Sequence, residues 1–299
     1  MADSTMGATR GGLIRRVSAA LFRHPRAKLG LTLGPTAVWM VVVYLASLSL
    51  MLVTAFWRVN ELSSQIERVW GLQNFQTLRN TPVFTTITVR TVGMAAAVTV
   101  TDLALAFPIA YLAARMARPR TRNVLLLLVV MPLWSNYLVR VYAWKVITAG
   151  DGPLQAILNL IGIHRSISAS NWAVWLTFCY LWLPFAILPL YAALERVPDS
   201  LLEASSDLGA KGGLTFRRVI IPLVFPGLVA ASIFTFSLTL GDYITPIMVG
   251  KGIFIGNAIY GFAGVAANLP LAAAYAFVPI IIMAIYLLVA RWLGAFEAL

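Results

Sequence analysis

The stretch EASSDLG at residues 203–209 is a polar turn between two long apolar stretches, and VIIP at residues 219–222 follows it after nine residues. The rest of the chain is strongly apolar, so a patterned polar loop is unusual in it. Such a loop indicates a place where another protein docks.

The composition on both sides of this loop places the chain in a lipid bilayer. Of its 299 residues 60% are hydrophobic and only 11% are charged, with a mean hydropathy of +0.83. A helix needs about 20 mostly apolar residues to cross the hydrocarbon core. Six stretches satisfy this requirement: 31–56, 84–114, 124–147, 172–194, 223–249 and 271–292. Backbone amides have no water to bond in lipid, and the ten-residue alternation of a porin-like barrel is absent from the sequence. The predicted fold class is therefore an all-α integral membrane protein with six transmembrane helices.

The net charge of +12 raises the question of nucleic-acid binding, and the positions of the charges argue against it. Segments 1–30, 115–122 and 196–218, with Arg291, hold most of the 23 Lys and Arg residues. Cytoplasmic segments of membrane proteins carry such an excess. We expect both termini and the loop to face the cytoplasm, with the tail near anionic lipid and no nucleic-acid partner. The first span is too long for a cleaved signal peptide, so we expect an uncleaved anchor.

The loop itself contains the start and stop signals of a short helix. Ser200 and Glu203 have the spacing of a capping box, in which each side chain bonds a free amide of the other's turn. The helix is predicted to begin at Ser200, to run to about Leu208 and to stop at Gly209, where the chain can adopt a positive φ. Its small face, with Ala204, is suited to a groove on a partner.

A second short helix is predicted after Gly213, leading up to Pro222 and the fifth span. Ser205 is placed on the same docking face as Ala204 and Leu208, and Ala210 follows the turn.

Nothing in the sequence could hydrolyse ATP or bind a metal. The G-x-x-x-x-G-K-[ST] phosphate loop is absent, so any ATP and Mg²⁺ would be used by another subunit. The two histidines, His24 and His164, fall on opposite sides of the predicted membrane. Cys179 is the single cysteine and is expected to be a buried small hydrophobe. We predict no bound cofactor, no metal and no catalytic residue in this chain.

Two acidic residues lie within predicted spans, where a charge is costly unless it faces a partner or a water-filled path. Asp102 is inside the second span and Asp242 is in the outer half of the fifth. Each has two interpretations: an ion pair with Arg90, Arg140 or Lys145, or attraction of a cationic solute. The second span is also rich in small residues, which allow membrane helices to approach closely: Gly93, Ala95, Ala96, Ala97, Ala104 and Ala106.

The loop resembles the E-A-A-x-x-x-G-x9-I-x-L-P signature of ABC importer permeases. Glu203, Ala204, Gly209 and Pro222 match, while serine, valine and isoleucine replace the second alanine, the isoleucine and the leucine of the pattern. The resemblance implies a type-1 ABC importer permease fold over residues 84–292 and a coupling loop over 198–222 that transmits closure of a separate ATPase. The coupling residues it implies are Ser200, Glu203, Ala204, Ser205, Leu208, Gly209, Ala210 and Pro222.

Residues 131–144 and 237–246 are similar to the third- and fifth-span segments of permeases in the spermidine/putrescine group. Both contain proline, polar and aromatic residues, and a broken helix at mid-membrane is a recurrent way to expose groups to a solute. The resemblance implies a polyamine as solute. The candidate path residues are Asp102, Trp134, Asn136, Tyr137, Arg140, Asp242 and Tyr243. Related permeases carry opines, aminoethylphosphonate, thiamine or ferric iron, and these solutes stay open.

The resemblance also implies an assembly in the bacterial inner membrane. The expected partners are ABC ATPase subunits, a second and different permease subunit, and an external solute-binding protein. Within the chain we expect a cytoplasmic tail (1–30), a first helix (31–56), an external segment (57–83) that includes a short amphipathic helix, the core (84–292) and a cytoplasmic C-terminus (293–299). An ion-coupled secondary transporter and a channel are the alternatives, but the sequence shows neither an inverted repeat nor a filter-like segment.

Overall fold

The computed structural model describes residues 25–60 and 63–294, with side chains from Leu33 onward. Most of the predicted tail 1–30 and the end of the segment 293–299 lie outside these residues. The chain divides into two units, one up to Thr54 and one from Ala55. The first unit contains helix α1 (Pro25–Thr54), which begins before the predicted span at residue 31 and ends before residue 56.

The second unit begins with a small hairpin. Strands β1 (Arg58–Val59) and β2 (Ile66–Glu67) are antiparallel, with Arg58 opposite Glu67. The Arg58 guanidinium and the Glu67 carboxylate form an ion pair 2.7 Å long.

The remainder of the second unit is helical. In chain order its helices are α2 (Gln73–Asn80), α3 (Pro82–Tyr111), α4 (Pro119–Val130), α5 (Tyr137–Ile147), α6 (Pro153–Leu160), α7 (Asn171–Glu195), α8 (Asp199–Asp207), α9 (Gly212–Thr215), α10 (Ile221–Gly241), α11 (Ile244–Val249), α12 (Ile255–Tyr260) and α13 (Leu269–Trp292). A 3-10 turn (Met131–Trp134) extends α4, and three π turns (Leu112–Met116, Phe216–Ile220, Gly261–Val265) follow α3, α9 and α12. The all-α prediction is confirmed, since the strands are limited to the hairpin in the part of the chain that the structure describes.

Five continuous helices are long and apolar enough to cross a membrane: Leu33–Thr54, Pro82–Met116, Asn171–Glu195, Gly212–Gly241 and Leu269–Trp292. A sixth candidate span consists of Pro119–Trp134 and Tyr137–Ile147, which meet at a bend of 96°. The six predicted spans thus correspond to five continuous helices and one bent pair.

The bend follows from the polar pair between α4 and α5. Ser135 and Asn136 both have extended ψ values, 149° and 136°, so the helix cannot continue through them. The Asn136 side chain accepts a hydrogen bond of 2.8 Å from the Leu138 amide and caps α5. The segment therefore ends one helix and begins another in a new direction.

The fifth span ends earlier than the predicted residue 249. Helix α10 stops at Gly241, where Asp242 has an extended ψ of 127°, and the separate helix α11 begins at Ile244. The predicted single stretch is therefore a long helix, a two-residue break and a short helix.

Helices α3, α7 and α10 pack against one another and form the centre of the second unit. Gly227 of α10 makes this possible at one crossing, because a Cβ built there would lie 2.3 Å from the Cβ of Ala193 on α7. The small residues of α3 serve two purposes. Ala95 and Ala106 are fully buried, whereas Gly93, Ala96, Ala97 and Ala104 are exposed on the surface of the unit.

Candidate functional site

Helix α8 starts differently from the prediction. Pro198 is its N-cap, with an extended backbone (φ −67°, ψ 136°), and no side chain caps the first turn. Ser200 is therefore already helical, at the second position, where its hydroxyl cannot act as an N-cap. The capping box between Ser200 and Glu203 is wrong, and both side chains are exposed.

Arg115, which the sequence analysis did not single out, fixes the start of α8. Its guanidinium donates to the Asp199 carboxylate at 2.8 Å, to the Leu194 carbonyl at 2.6 Å and to the Val197 carbonyl. The Arg115 side chain is only 13% exposed, whereas that of Asp199 is 82% exposed. A cation at the carboxyl end of a helix is favourable because it meets the unpaired carbonyls and the negative end of the dipole. Arg115 thereby links the π turn after α3, the end of α7 and the start of α8.

Gly209 ends α8 in the way that the sequence predicts. Its φ is +76°, and its amide donates to the Ser206 carbonyl at 2.8 Å. The amide of Ala210 donates to the Ser205 carbonyl at 3.0 Å. These two bonds form a Schellman motif, which satisfies the last carbonyls of the helix.

The side chains of α8 differ in what they contact. The Ser205 hydroxyl lies 2.9 Å from the Thr215 hydroxyl of α9, and Leu202 packs in the core below. The Ser205 hydroxyl is thus engaged toward α9, and the predicted coupling role of Ser205 stays a prediction. The outer face consists of Leu201, Ala204 and Leu208, which are spaced at i, i+3 and i+7 and are all exposed, Leu208 at 88%.

The second short helix is also a correction. Residues Gly212–Gly241 form one continuous helix, so α9 and the following π turn are the start of the fifth span. Pro222 lies inside this helix, directly after the π turn that ends at Ile220. Proline has no N–H for the helical ladder, and the change in hydrogen-bond pattern before it allows the helix to continue.

A second polar cluster joins the two broken helices. The Asp242 carboxylate accepts hydrogen bonds from the amides of Ile244 at 2.8 Å and Thr245 at 3.2 Å, and from the Thr245 hydroxyl at 2.8 Å. Its Oδ2 atom also accepts from the Tyr137 hydroxyl, at the first position of α5. We call Tyr137, Asp242 and Thr245 the polar junction. It caps α11 and connects the break between α4 and α5 to the break between α10 and α11.

Asp102 lies in a different environment. It is completely buried, and both of its carboxylate oxygens lack a hydrogen-bond partner among the described residues, although the Cys179 thiol of α7 is close to them. The ion pairs found there are Arg58–Glu67, Arg115–Asp199 and Arg122–Glu195. The predicted pairing of Asp102 or Asp242 with a nearby basic residue is therefore wrong. Cys179 is buried, as predicted.

The other predicted path residues are scattered around the junction segments. Trp134 is 76% exposed, and Asn136 caps α5. Tyr243 stacks on Tyr260 with ring centroids 4.8 Å apart. The Nε and Nη1 atoms of Arg140 are buried without a hydrogen-bond partner among the residues described. The structure thus brings together Tyr137 and Asp242, but it does not place Asp102 in the same hydrogen-bond network.

Comparisons with known proteins agree on the kind of protein. The family described as "Binding-protein-dependent transport system inner membrane component" matches residues 106–297. The "Inner membrane ABC transporter permease protein YdcU" of Escherichia coli (strain K12) is 41% identical, with 95% of both chains covered. The "Spermidine/putrescine transport system permease protein PotB" of the same strain is 31% identical, with 75% of this chain and 82% of that protein covered. The PotB protein of Haemophilus influenzae is 33% identical, with 73% and 77% covered.

A solved structure shows the same fold. The match is to a chain of a bacterial alginate ABC transporter in complex with an alginate pentasaccharide-bound periplasmic protein, with a TM-score of 0.73 and 16% identity, covering 95% of this chain and 98% of that one. This likeness supports the predicted type-1 permease fold. The family match and the relatives together show that the chain belongs to the inner-membrane permease components of binding-protein-dependent ABC transport systems.

Proposed function

We propose that this chain is one of two permease subunits of an ATP-driven importer, and that α8 receives the movement of a separate ATPase. The observation that carries the proposal is the construction of α8. Arg115, Leu202 and Ser205 hold the helix against the rest of the second unit, while the side chain of Leu208 is 88% exposed. A rigidly held helix with an exposed apolar face is suited to transmitting a push from a partner that covers that face.

The ATPase surface can be tested with a pair of leucines of nearly equal exposure. Leu208 is 88% exposed on α8, and Leu160 is 85% exposed at the end of α6, in a segment predicted to lie outside the cell. We expect Leu208→Asp to abolish copurification of the ATPase and ATP-driven uptake in vesicles. Leu160→Asp should retain both. Wild-type copurification and uptake by Leu208→Asp would refute the assigned role of α8.

The proposed orientation places both termini and α8 in the cytoplasm. The support is the excess of basic residues in segments 115–122 and 196–218. The test uses single cysteines in a Cys179→Ser background, at the exposed positions Ser206 and Leu160. An impermeant maleimide added to intact spheroplasts should label position 160 and leave position 206 unlabelled. The reverse pattern would contradict the orientation.

For the solute, we propose a polyamine of the putrescine or spermidine type. Two observations support this choice: the relatives named spermidine/putrescine permeases are 31–33% identical, and the polar junction places a carboxylate beside aromatic rings. Tyr137 stacks on Trp182, and Tyr243 stacks on Tyr260, so π faces lie close to both helix breaks. An ammonium group over such a face gains about 0.5 to 2 kcal/mol. The proposed path therefore centres on Tyr137, Asp242 and Tyr243, with the other predicted residues around it.

The solute test is uptake of labelled putrescine and spermidine by proteoliposomes that contain the complete importer and its binding protein. We expect ATP-dependent accumulation that excess unlabelled polyamine suppresses. Tyr243→Leu should reduce uptake of the polyamine, whereas Trp172→Leu, a change at an exposed aromatic outside the junction, should not. If the ATPase responds to the binding protein but no polyamine is taken up, the proposed solute is refuted and the proposed importer function is not.

A second solute class is favoured by Arg140. Buried guanidinium nitrogens without a hydrogen-bond partner attract an anionic group. Opines and aminoethylphosphonate carry such groups. Competition by an opine or by aminoethylphosphonate, but not by polyamine, would select this alternative.

We propose that the second permease is a different chain. We also propose that the separate ATPase, and not this chain, binds ATP and Mg²⁺. Copurification from cells that express two differently tagged copies of this chain tests the subunit arrangement. We expect each tag to recover a second permease and not the other copy.

A further inference from the structure

A groove on the outer surface of α3 and α7 is not used by the proposed transport mechanism. Its volume is about 690 Å³. Its lining from α3 runs from Arg90 to Thr101 and includes the exposed small residues Gly93, Ala96 and Ala97, and its lining from α7 includes Trp172 and Trp175. The groove is therefore apolar along its length and cationic near one end.

The dimensions of the groove match one leaflet of a bilayer. Thr101 lies eleven positions after Arg90, and a helix rises 1.5 Å per residue, so the groove is about 16 Å long. The hydrocarbon core of a bilayer is about 30 Å thick, so one leaflet occupies half of that. Small side chains on α3 leave room for a chain to lie against the helix backbone, and the two tryptophans form one wall.

Arg90 gives the groove its chemical preference. No carboxylate pairs with Arg90 in the described parts of the chain, and its guanidinium donates a long hydrogen bond of 3.4 Å to the Ile253 carbonyl. The Asn171 side chain is near: a Cβ built at Gly252 would lie 3.2 Å from Arg90 Nη1 and 3.3 Å from Asn171 Oδ1. A guanidinium at the edge of an apolar groove, beside an amide that can donate, is suited to a phosphate oxygen.

We propose that this groove binds an anionic phospholipid, with one acyl chain along α3 and the phosphate at Arg90 and Asn171. Charge distinguishes this occupant from the chain's own first helix. Residues 25–54 contain no Asp or Glu, so α1 brings no negative side chain to Arg90. A zwitterionic lipid such as phosphatidylcholine offers the same phosphate, but its ammonium group offsets the negative charge near the guanidinium, so an anionic lipid is favoured.

The experiment measures lipids that remain bound to the purified importer complex. The complex is extracted from membranes of equal phosphatidylglycerol and phosphatidylcholine content and examined by native mass spectrometry. The wild type should retain phosphatidylglycerol preferentially. One basic residue near an anionic lipid is worth about 1 kcal/mol, so Arg90→Gln should weaken phosphatidylglycerol binding about fivefold. Arg90→Lys should keep most of the preference, because the charge remains.

Two further variants separate the groove from general surface charge. Lys251→Gln removes an exposed positive charge from the neighbouring loop without touching the groove lining, and it should leave bound lipid unchanged. Ala97→Phe fills the groove without a change of charge, and it should displace the lipid. Equal lipid retention by wild type, Arg90→Gln and Ala97→Phe would overturn the proposal. So would a photoreactive side chain at position 97 that crosslinks α1 or the second permease in place of lipid.

Discussion

Replacement of Arg115 by alanine tests whether the anchoring of α8 is needed for transport. Arg115 is nearly buried and donates to the carbonyls of Leu194 and Val197 as well as to Asp199. Alanine removes all of these hydrogen bonds and leaves the end of α7 without its cation. We expect α8 to be released from the end of α7 while the apolar helices remain inserted.

The structure gives different magnitudes for the two halves of this contact. A hydrogen bond that involves a charged group contributes about 1.5 to 3 kcal/mol, so the two carbonyl contacts together hold the turn between α7 and α8, and through it the start of α8, by about 3 kcal/mol or more. Since 1.4 kcal/mol corresponds to a factor of ten, the released state should become roughly 100-fold more populated. The ion pair with Asp199, which is 82% exposed, is worth at most about 1 kcal/mol. Asp199→Ala should therefore have a small effect.

The assay compares ATP-driven uptake and thermal stability for Arg115→Ala, Asp199→Ala and Arg118→Ala, the last being an exposed arginine three residues away. We expect Arg115→Ala to lose nearly all uptake, with apparent insertion and expression unchanged. Asp199→Ala should stay within about fivefold of the wild type, as a surface pair allows. Arg118→Ala should behave as the wild type. If Arg115→Ala and Asp199→Ala have equal effects, the carbonyl contacts do not hold the turn that leads into α8 and the reasoning fails.

Three other changes have defined outcomes. Tyr137→Phe removes one hydrogen bond from Asp242 and should lower the free energy of unfolding by about 1 kcal/mol. Asp242→Ala also removes the cap of α11 and should lower it by more. Unfolding of the detergent-solubilised protein measures both effects. Gly209 has a φ of +76°, and a Cβ built there would meet open space. Gly209→Ala should therefore destabilise α8 by about 1 kcal/mol through backbone strain alone, and Gly209→Asn by less. Equal thermal stability of the two variants would contradict this. Hydrogen bonds from Asn60 and Arg58 lower the pKa of Glu67 below its ordinary value of 4.5. The hairpin therefore gains stability that is present above that value and is lost as the pH falls through the lowered pKa. Amide exchange in β1 and β2 should show this dependence on pH, and Glu67→Gln should remove it.

The positions of the long helices could be predicted because apolar length alone determines them. The fourth span was predicted over residues 172–194, and α7 covers Asn171–Glu195. Its start also has a local signal, since the Ser170 hydroxyl accepts a hydrogen bond from the Ala173 amide. Where a span is continuous and both ends are polar, the sequence contains the information that the helix needs.

The breaks within spans could be predicted only in part. Proline and polar residues in segments 131–144 and 237–246 indicated interruptions, but not their geometry. The bend of 96° depends on the ψ values that Ser135 and Asn136 adopt when α5 packs on α11 and α7. Tertiary packing selects these backbone angles, and a local pattern does not specify them.

Helix α8 shows that a sequence pattern can predict the end of a helix correctly and its start wrongly. Gly209 was assigned its positive φ correctly because glycine has a specific conformational reason to end a helix. The capping box failed because Pro198, two residues before Ser200, already occupies the N-cap with a suitable extended backbone. Arg115 could not be found from the sequence, since it lies 84 residues from Asp199 and its other acceptors are backbone carbonyls, which every residue has.

The two intramembrane acids show that a buried carboxylate does not require a cation as its partner. Asp242 follows Gly241, the last residue of α10, and its Oδ1 atom accepts from the amides of Ile244 and Thr245 at the start of α11. Free amides at a helix start stabilise a negative charge, so the helix break at Asp242 also supplies the amide groups that stabilise its carboxylate. Asp102 lies within the unbroken helix α3, where the backbone amides are already used, and its carboxylate oxygens have no hydrogen-bond partner among the described residues. An aspartate at a helix break is therefore stabilised by the free amides of the next helix, and an aspartate within a continuous helix lacks them. For this reason Asp242 can be assigned to the polar junction and Asp102 cannot.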